Sequence, residues 1–194
     1  MSATVLYMSM SLDGFITGPD DGPDNGLGTG GERLHDWLIN SAGELVRPSG
    51  PSGDILDELF ATGAVVVGRR TAEIVDHWGG DHHNGVRIFV PSHRPPNDAV
   101  AAYPRVTYVT DGIASAMAQA KEAAGGRDVL VHGAYTAQRA LEAGVLDELE
   151  IHQIPVLLGK GRRLFGELPA GVELEVRRVV ETPEATHLRY RVRR

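Results

Sequence analysis

Residues 129–165 read VLVHGAYTAQRALEAGVLDELEIHQIPVLLGKGRRLF. An apolar strand, Val129 to Val131, enters a turn at Gly133. A short helix from Thr136 to Ala143 follows, then a second strand, Leu149 to Val156, leading into Gly159-Lys160-Gly161. Strand, small-residue turn and helix N-terminus is the order that an anionic ligand needs. Small residues let the backbone come close, and the unpaired N–H groups of the first helical turn face the charge. A nucleotide-type cofactor fits that arrangement.

Upstream, residues 4–10 (TVLYMSM) read as a first strand closed by the turn Asp13-Gly14. A stretch rich in Gly, Asp and Pro from Thr17 to Gly31 buries little and reads as a mobile loop, suited to act as a lid. Leu34, Trp37, Leu38 and Leu45 lie near one face of a helix expected over Glu32–Leu45. After a loop at 47–53, Asp54 is expected to cap a short helix that stops at Gly63. Ala64–Val67 is a continuous apolar run, as in a strand covered on both faces. Strands follow near 86–90 and 106–109, then an Ala-rich helix over 114–124. Residues 173–181 and 186–193 form a C-terminal hairpin across Thr182-Pro183-Glu184-Ala185. In its second strand Leu188, Tyr190 and Val192 alternate with Arg189, Arg191 and Arg193, so one face is buried and one is wet.

Eight strands, alternating with helices at first and ending in strands alone, imply one α/β domain over residues 1–194. Its sheet should be mostly parallel with an antiparallel C-terminal edge. A length of 194 residues suits a single domain. The net charge of −7 speaks against sequence-independent nucleic-acid binding, which needs a surplus of Lys and Arg. With no Cys there is no disulfide, thiolate metal site or Cys nucleophile. The lack of a 20-residue apolar span or signal peptide leads to the expectation of a cytoplasmic protein with no membrane partner.

Three strand ends carry chemistry. Gly68-Arg69-Arg70-Thr71 follows the buried strand at 64–67, where α/β sheets place their ligands. Arg offers a planar fork for phosphate and Thr a helix cap, although solvated arginines on an ordinary turn fit the same residues. Ser92-His93-Arg94 follows the next strand, and Gly133 the one after it. The literal G-x-G-x-x-G at Gly26, Gly28 and Gly31 lies in the polar loop rather than directly after a strand, and so reads as loop. His77, His82 and His83 match no ligand spacing, and no metal is expected. His132 and His152 fall on strands, as core or pocket histidines. There is no G-x-S-x-G elbow, and Gly159-Lys160-Gly161 lacks the form of a P-loop.

In order and spacing these blocks resemble the dihydrofolate-reductase-like superfamily. The nearest branch is the reductase of the riboflavin pathway, the RibD C-terminal-like domain of bacterial deaminase–reductases. The resemblance rests on Ser11-Leu12-Asp13-Gly14-Phe15-Ile16, Gly68-Arg69-Arg70-Thr71 and Ser92-His93-Arg94. It rests further on Gly133-Ala134, Leu146-Asp147-Glu148-Leu149, and Pro155-Val156-Leu157-Leu158-Gly159 with Gly161 and Leu164-Phe165. It implies a three-layer fold and NADPH as cofactor. By that likeness Gly68, Arg69, Arg70 and Thr71 hold phosphates, with Ser92, His93 and Arg94 near the adenosine 2′-phosphate. His132, Gly133, Ala134, Tyr135 and Thr136 receive the pyrophosphate, and Asp13, Gly14, Phe15 and Ile16 border the nicotinamide. The implied reaction is hydride transfer to a C=N or C=O carbon of a pterin- or riboflavin-precursor-like metabolite, as in dihydrofolate reductase or 5-amino-6-(5-phosphoribosylamino)uracil reductase. The alternative is a non-catalytic NADPH-binding protein on the same fold.

Asp13 and Asp36 are the candidate catalytic carboxylates. Folate reductases carry an acid on the first helix, and Asp36 is the nearest carboxylate in a comparable region, but it also fits the wet face of a helix. Two departures from the family stand out: His132 occupies the place of a first Gly, and without Cys there is no zinc deaminase site. A homodimer is expected through the uncovered sheet edge and the apolar run Pro155–Leu158.

Overall fold

The computed structural model describes residues 2–40, 42 and 44–193. Six segments are laid parallel: β1 (Thr4–Ser11), β3 (Ala64–Val67), β4 (Arg87–Pro91), β5 (Val106–Val109), β6 (Val129–His132) and β7 (Glu148–Ile154). The hairpin β9 (Leu174–Glu181) and β10 (Thr186–Val192) adds antiparallel to β7. Together they make one eight-stranded sheet in the order β5-β4-β3-β6-β1-β7-β10-β9. Its centre is dry: Val5, Leu6, Ala64–Val67 and Val129–Val131 are fully buried. That is why these strands read as unbroken apolar runs rather than alternating ones.

Helices cover both faces. Ala116, Met117 and Ala120 of α3 (Ile113–Ala124), with Ala137 and Ala140 of α4 (Ala134–Glu142), pack on Leu6, Val66, Val131 and Ile151. Small residues along these helices allow close approach to the sheet. On the other face, Leu59 of α1 (Pro51–Phe60) and Ala72 of α2 (Arg69–Ile74) join Val5, Tyr7, Val65 and Leu130. A second, two-stranded sheet pairs β2 (Phe15–Thr17) with β8 (Arg162–Arg163), tying the start of the Gly-rich loop to the turn after Gly159.

Two local expectations are corrected. In place of a helix over 32–45 there is a single 3-10 turn, Gly31–His35, followed by a tight reversal that pairs Ile39 with Leu45. The Asn40 side-chain oxygen accepts from the amides of Ala42 and Glu44, both at 3.0 Å, and this local bonding replaces the helical ladder. Leu45 is 54% exposed, so the four apolar residues never formed one buried stripe. The next helix begins at Pro51, ahead of Asp54, because proline suits a first helical position. Asp54 instead faces Arg47 at 3.6 Å. The polar loop at 18–29 has a defined course as well. Gly18 donates to Leu27 (2.8 Å) and Thr29 to Pro19 (2.8 Å), while Gly22 and Asn25 bond each other at 3.0 Å.

Candidate functional site

The six parallel strands end on one edge. After β1 the chain crosses to β3, continues outward to β4 and β5, and then returns to place β6 between β3 and β1. The order reverses at β6, and a crevice at such a reversal is where open α/β sheets bind ligands.

Register sets Val67 opposite His132, so Gly68 and Gly133 leave adjacent strands side by side. A Cβ on Gly68 would lie 2.7 Å from Thr136 Oγ1, and one on Gly133 would lie 3.2 Å from Thr71 Oγ1. Gly133 has φ 91°, a backbone that an L side chain adopts only under strain. The His132–Gly133 peptide is trans. Ala134 and Thr136 are buried, whereas Tyr135 is 66% exposed with Arg139 stacked on its ring. Thr136 Oγ1 is fully buried and has no hydrogen-bond partner. A buried hydroxyl left unsatisfied costs about 1–3 kcal/mol, so a partner at this point would be welcome.

Arg69 joins two turns. Its Nη1 donates to Ser92 Oγ (3.3 Å) and to the carbonyls of Arg94 (3.3 Å) and Pro95 (3.1 Å), while its Nε pairs with Glu73 at 2.7 Å. Ser92 Oγ donates to the Arg94 carbonyl at 2.7 Å and accepts the Arg94 amide at 3.1 Å. His93 and Arg94 are exposed. Arg70 points away from this group and reaches Asp21 of the Gly-rich loop.

At the end of β1 the carboxylate of Asp13 is already engaged. It accepts from Ser11 Oγ (2.6 Å) and from the amides of Leu158 (3.1 Å) and Gly159 (2.7 Å). These bonds, Ser11 foremost, hold its carboxyl below the usual carboxylate range. Ser11 Oγ also accepts the Phe15 amide at 2.9 Å, and Gly14 turns the chain into β2. Phe15 and Ile16 are buried, with Arg163 lying 4.6 Å above the Phe15 ring. Asp36 stands apart, 58% exposed and 3.4 Å from Arg33.

Three features escaped the sequence reading. One is the bridge from Arg70 through Asp21 to Arg162. Another is a line of imidazoles beneath the turn at Gly133. His132 Nε2 shares a hydrogen with His82 Nε2 (3.2 Å), and His82 Nδ1 with His83 Nδ1 (2.6 Å). Burial pushes His132 down to about 4 and His82 to about 2, so both rings are neutral at pH 7. The third is His35, whose buried Nδ1 lacks a partner and whose pKa burial lowers to about 4. Histidines scattered from residue 35 to residue 187 carry no local pattern that announces such grouping. Among the described residues no cluster of His, Asp and Glu is arranged to hold a metal ion, and no helix is long and apolar enough to cross a membrane.

Solved structures share this architecture. A Shewanella sp. PV-4 protein named for riboflavin biosynthesis superposes with TM-score 0.76 at 23% identity, covering 99% of both chains. Dihydrofolate reductase from Enterococcus faecalis, solved with NADP(H), gives TM-score 0.61 at 16% identity over 98% of this chain and 96% of that one. The Thermotoga maritima deaminase/5-amino-6-(5-phosphoribosylamino)uracil reductase matches 98% of this chain with 56% of its own (TM-score 0.59, 12% identity). The uncharacterized protein YwjB of Bacillus subtilis strain 168 is 27% identical over 190 residues, 96% of each chain. The family model of the RibD C-terminal domain matches residues 3–188, and this chain belongs to that family.

Proposed function

We propose that the protein is an NADPH-dependent reductase that delivers a hydride to a C=N or C=O carbon of a small heterocyclic metabolite of pterin or riboflavin-precursor type. The observation that carries this reading is the cradle at the strand-order reversal. There the two glycines let the turns at Gly68 and Gly133 close against the threonines Thr136 and Thr71, and the buried Thr136 Oγ1 has no hydrogen-bond partner. A dinucleotide pyrophosphate fits that donor set at the N-terminus of α4. The nicotinamide, when bound, supplies the hydride.

The chain's own residues supply binding, orientation and exclusion of water. Gly133 to Thr136 receive the pyrophosphate, with Gly68, Arg70 and Thr71 on the facing turn. Arg69 and Ser92, already 3.3 Å apart, present a cation and a hydroxyl to the 2′-phosphate, with His93 and Arg94 beside them. Gly14, Phe15 and Ile16 wall the nicotinamide end. Asp13 acts by positioning, because its oxygens fix the turn at Leu158 and Gly159. The proton that follows the hydride then comes from solvent or from the exposed Asp36.

That same engagement of Asp13 and exposure of Asp36 favour the second reading, a non-catalytic NADPH-binding protein. Loss of NADPH absorbance with dihydrofolate or with the phosphoribosylaminouracil precursor separates the two. Turnover with either substrate supports the reductase, whereas tight NADPH binding without oxidation by any pterin or pyrimidine candidate supports the binding protein.

A further inference from the structure

Asp21 sits beside the Gly22–Asn25 turn of the Gly-rich loop with its carboxylate between two arginines from distant parts of the chain. Arg70 donates from Nη2 (2.9 Å) and Nε (3.2 Å) to Oδ2, and again from Nη2 to the Asp21 carbonyl at 2.7 Å. Arg162 donates from Nη2 to both carboxylate oxygens at 3.2 Å and from Nε at 3.4 Å. The Asp21 side chain is only 14% exposed, whereas Arg70 and Arg162 keep 54% and 42% of theirs open. Burial works against the Asp21 charge, but hydrogen bonds from the two guanidinium groups outweigh it and hold the carboxyl below its usual range. A cavity of about 260 Å³ opens beside Asp21 and Arg162, lined by these two with Gly18, Pro19, Asp20 and Gly161.

The loop does not need this contact to keep its shape, since its own backbone bonds close it at both ends. Asp20 takes φ 61°, a strained conformation for a residue with a Cβ, and this turn aims the next side chain at the arginines. Two positive charges meet one negative charge, so the pair is left half neutralised. Planar guanidinium forks bind phosphate as readily as carboxylate, and a phosphate dianion would neutralise both. We propose that Arg70 and Arg162 form a phosphate-binding site whose resident occupant is the Asp21 carboxylate, and that a phosphorylated ligand enters by displacing Asp21 and freeing the loop. The site deepens the reductase reading and rests on it for the ligand: the phosphate belongs either to the dinucleotide or to a phosphorylated substrate.

Calorimetric titration of wild type, Asp21→Asn and Arg162→Ala with NADPH and with ribose 5-phosphate tests this. Removing the internal competitor should tighten at least one ligand about tenfold, and removing Arg162 should weaken that same ligand by a similar factor. A gain with NADPH assigns the phosphate to the cofactor; a gain confined to ribose 5-phosphate assigns it to the substrate. Unchanged or weaker binding of both ligands to Asp21→Asn overturns the proposal, with Asp21→Ser as a second variant and thermal melts to show that each folds. The two readings fail separately. Wild type that binds NADPH with no response to Asp21→Asn sinks only the displaceable carboxylate. Wild type that ignores NADPH, with Asp21→Asn gaining ribose 5-phosphate, sinks only the cofactor assignment.

Discussion

Acidification should destabilise this protein well above the pH at which its carboxylates protonate, because its buried histidines are held neutral. In the unfolded chain a histidine takes up a proton as pH falls through about 6.5; in the folded chain His35 and His132 do so only near 4. The folded-state values are lowered, so the unfolded state binds more protons between pH 6.5 and 4. Stability is therefore complete above 6.5 and lost as pH falls through that window. Proton linkage gives about 2 kcal/mol lost per histidine on going from about pH 7.5 to about pH 5.0, hence about 4 kcal/mol for the two. That is a large part of the roughly 5–15 kcal/mol typical of a folded domain. The His35 residue keeps some exposure, but its Nδ1 is fully buried, so the shift has a clear physical source. His82, His83, His152 and His187 are lowered as well and act in the same direction. Glu150, which burial holds above the usual carboxylate range, acts in the opposite one. Urea unfolding at the two pH values measures the loss directly, and His35→Gln should shrink it by about 2 kcal/mol. Stability that is flat or rising toward pH 5.0 would refute the claim that these rings are buried and neutral.

Other perturbations follow from the same geometry. Gly133→Ala places a Cβ 3.2 Å from Thr71 Oγ1 at φ 91°, and should cost about 1–3 kcal/mol by thermal melt while weakening NADPH. Asp13→Asn should speed amide hydrogen exchange at Leu158 and Gly159 relative to wild type; unchanged exchange would remove Asp13 from its positioning role. A homodimer is still expected through the sheet edge and the run Pro155–Leu158, of which Leu157 stands 68% exposed. Val156 and Leu158 pack against the Leu34–Trp37 cluster, whereas Leu174, Val176 and Val179 stand 40–60% exposed on the edge strand β9. Sedimentation should show a dimer that Val176→Glu weakens, and a monomeric wild type at micromolar concentration would rule it out.

The parallel core was legible because strands covered on both faces carry only apolar residues. Ala64–Val67 falls where the sequence puts it, and so does the edge strand Val106–Val109, although only Val109 of that strand is buried. The strand near the C-terminus falls at 186–192 as read, but its arginine face is not wet: His187 is fully buried and Arg189, 17% exposed, pairs with Glu148 at 2.7 Å. The false helix at 32–45 shows the limit of periodicity: apolar spacing carried no information about Asn40 bonding the backbone on its own. In the candidate site, the strand-end turns could be read because the sheet fixes where strands end. The Asp21 bridge could not, since Asp21 and Arg162 lie 141 residues apart and the loop's composition is polar throughout. The imidazole line was hidden in the same way, since His132 comes from β6 and His82 and His83 from a loop about fifty residues earlier.

The central claim is an NADPH site spanning the turns at Gly68, Ser92 and Gly133, and calorimetric titration of wild type and Arg69→Ala with NADPH and NADH tests it most directly. The cofactors differ only in the 2′-phosphate, and charge-assisted bonds to phosphate contribute about 1.5–3 kcal/mol each. Wild type should therefore prefer NADPH, and Arg69→Ala should weaken NADPH about ten- to a hundredfold while leaving NADH nearly unchanged. An equal loss for both would move Arg69 to the shared pyrophosphate, and no binding of either cofactor to wild type would contradict the account.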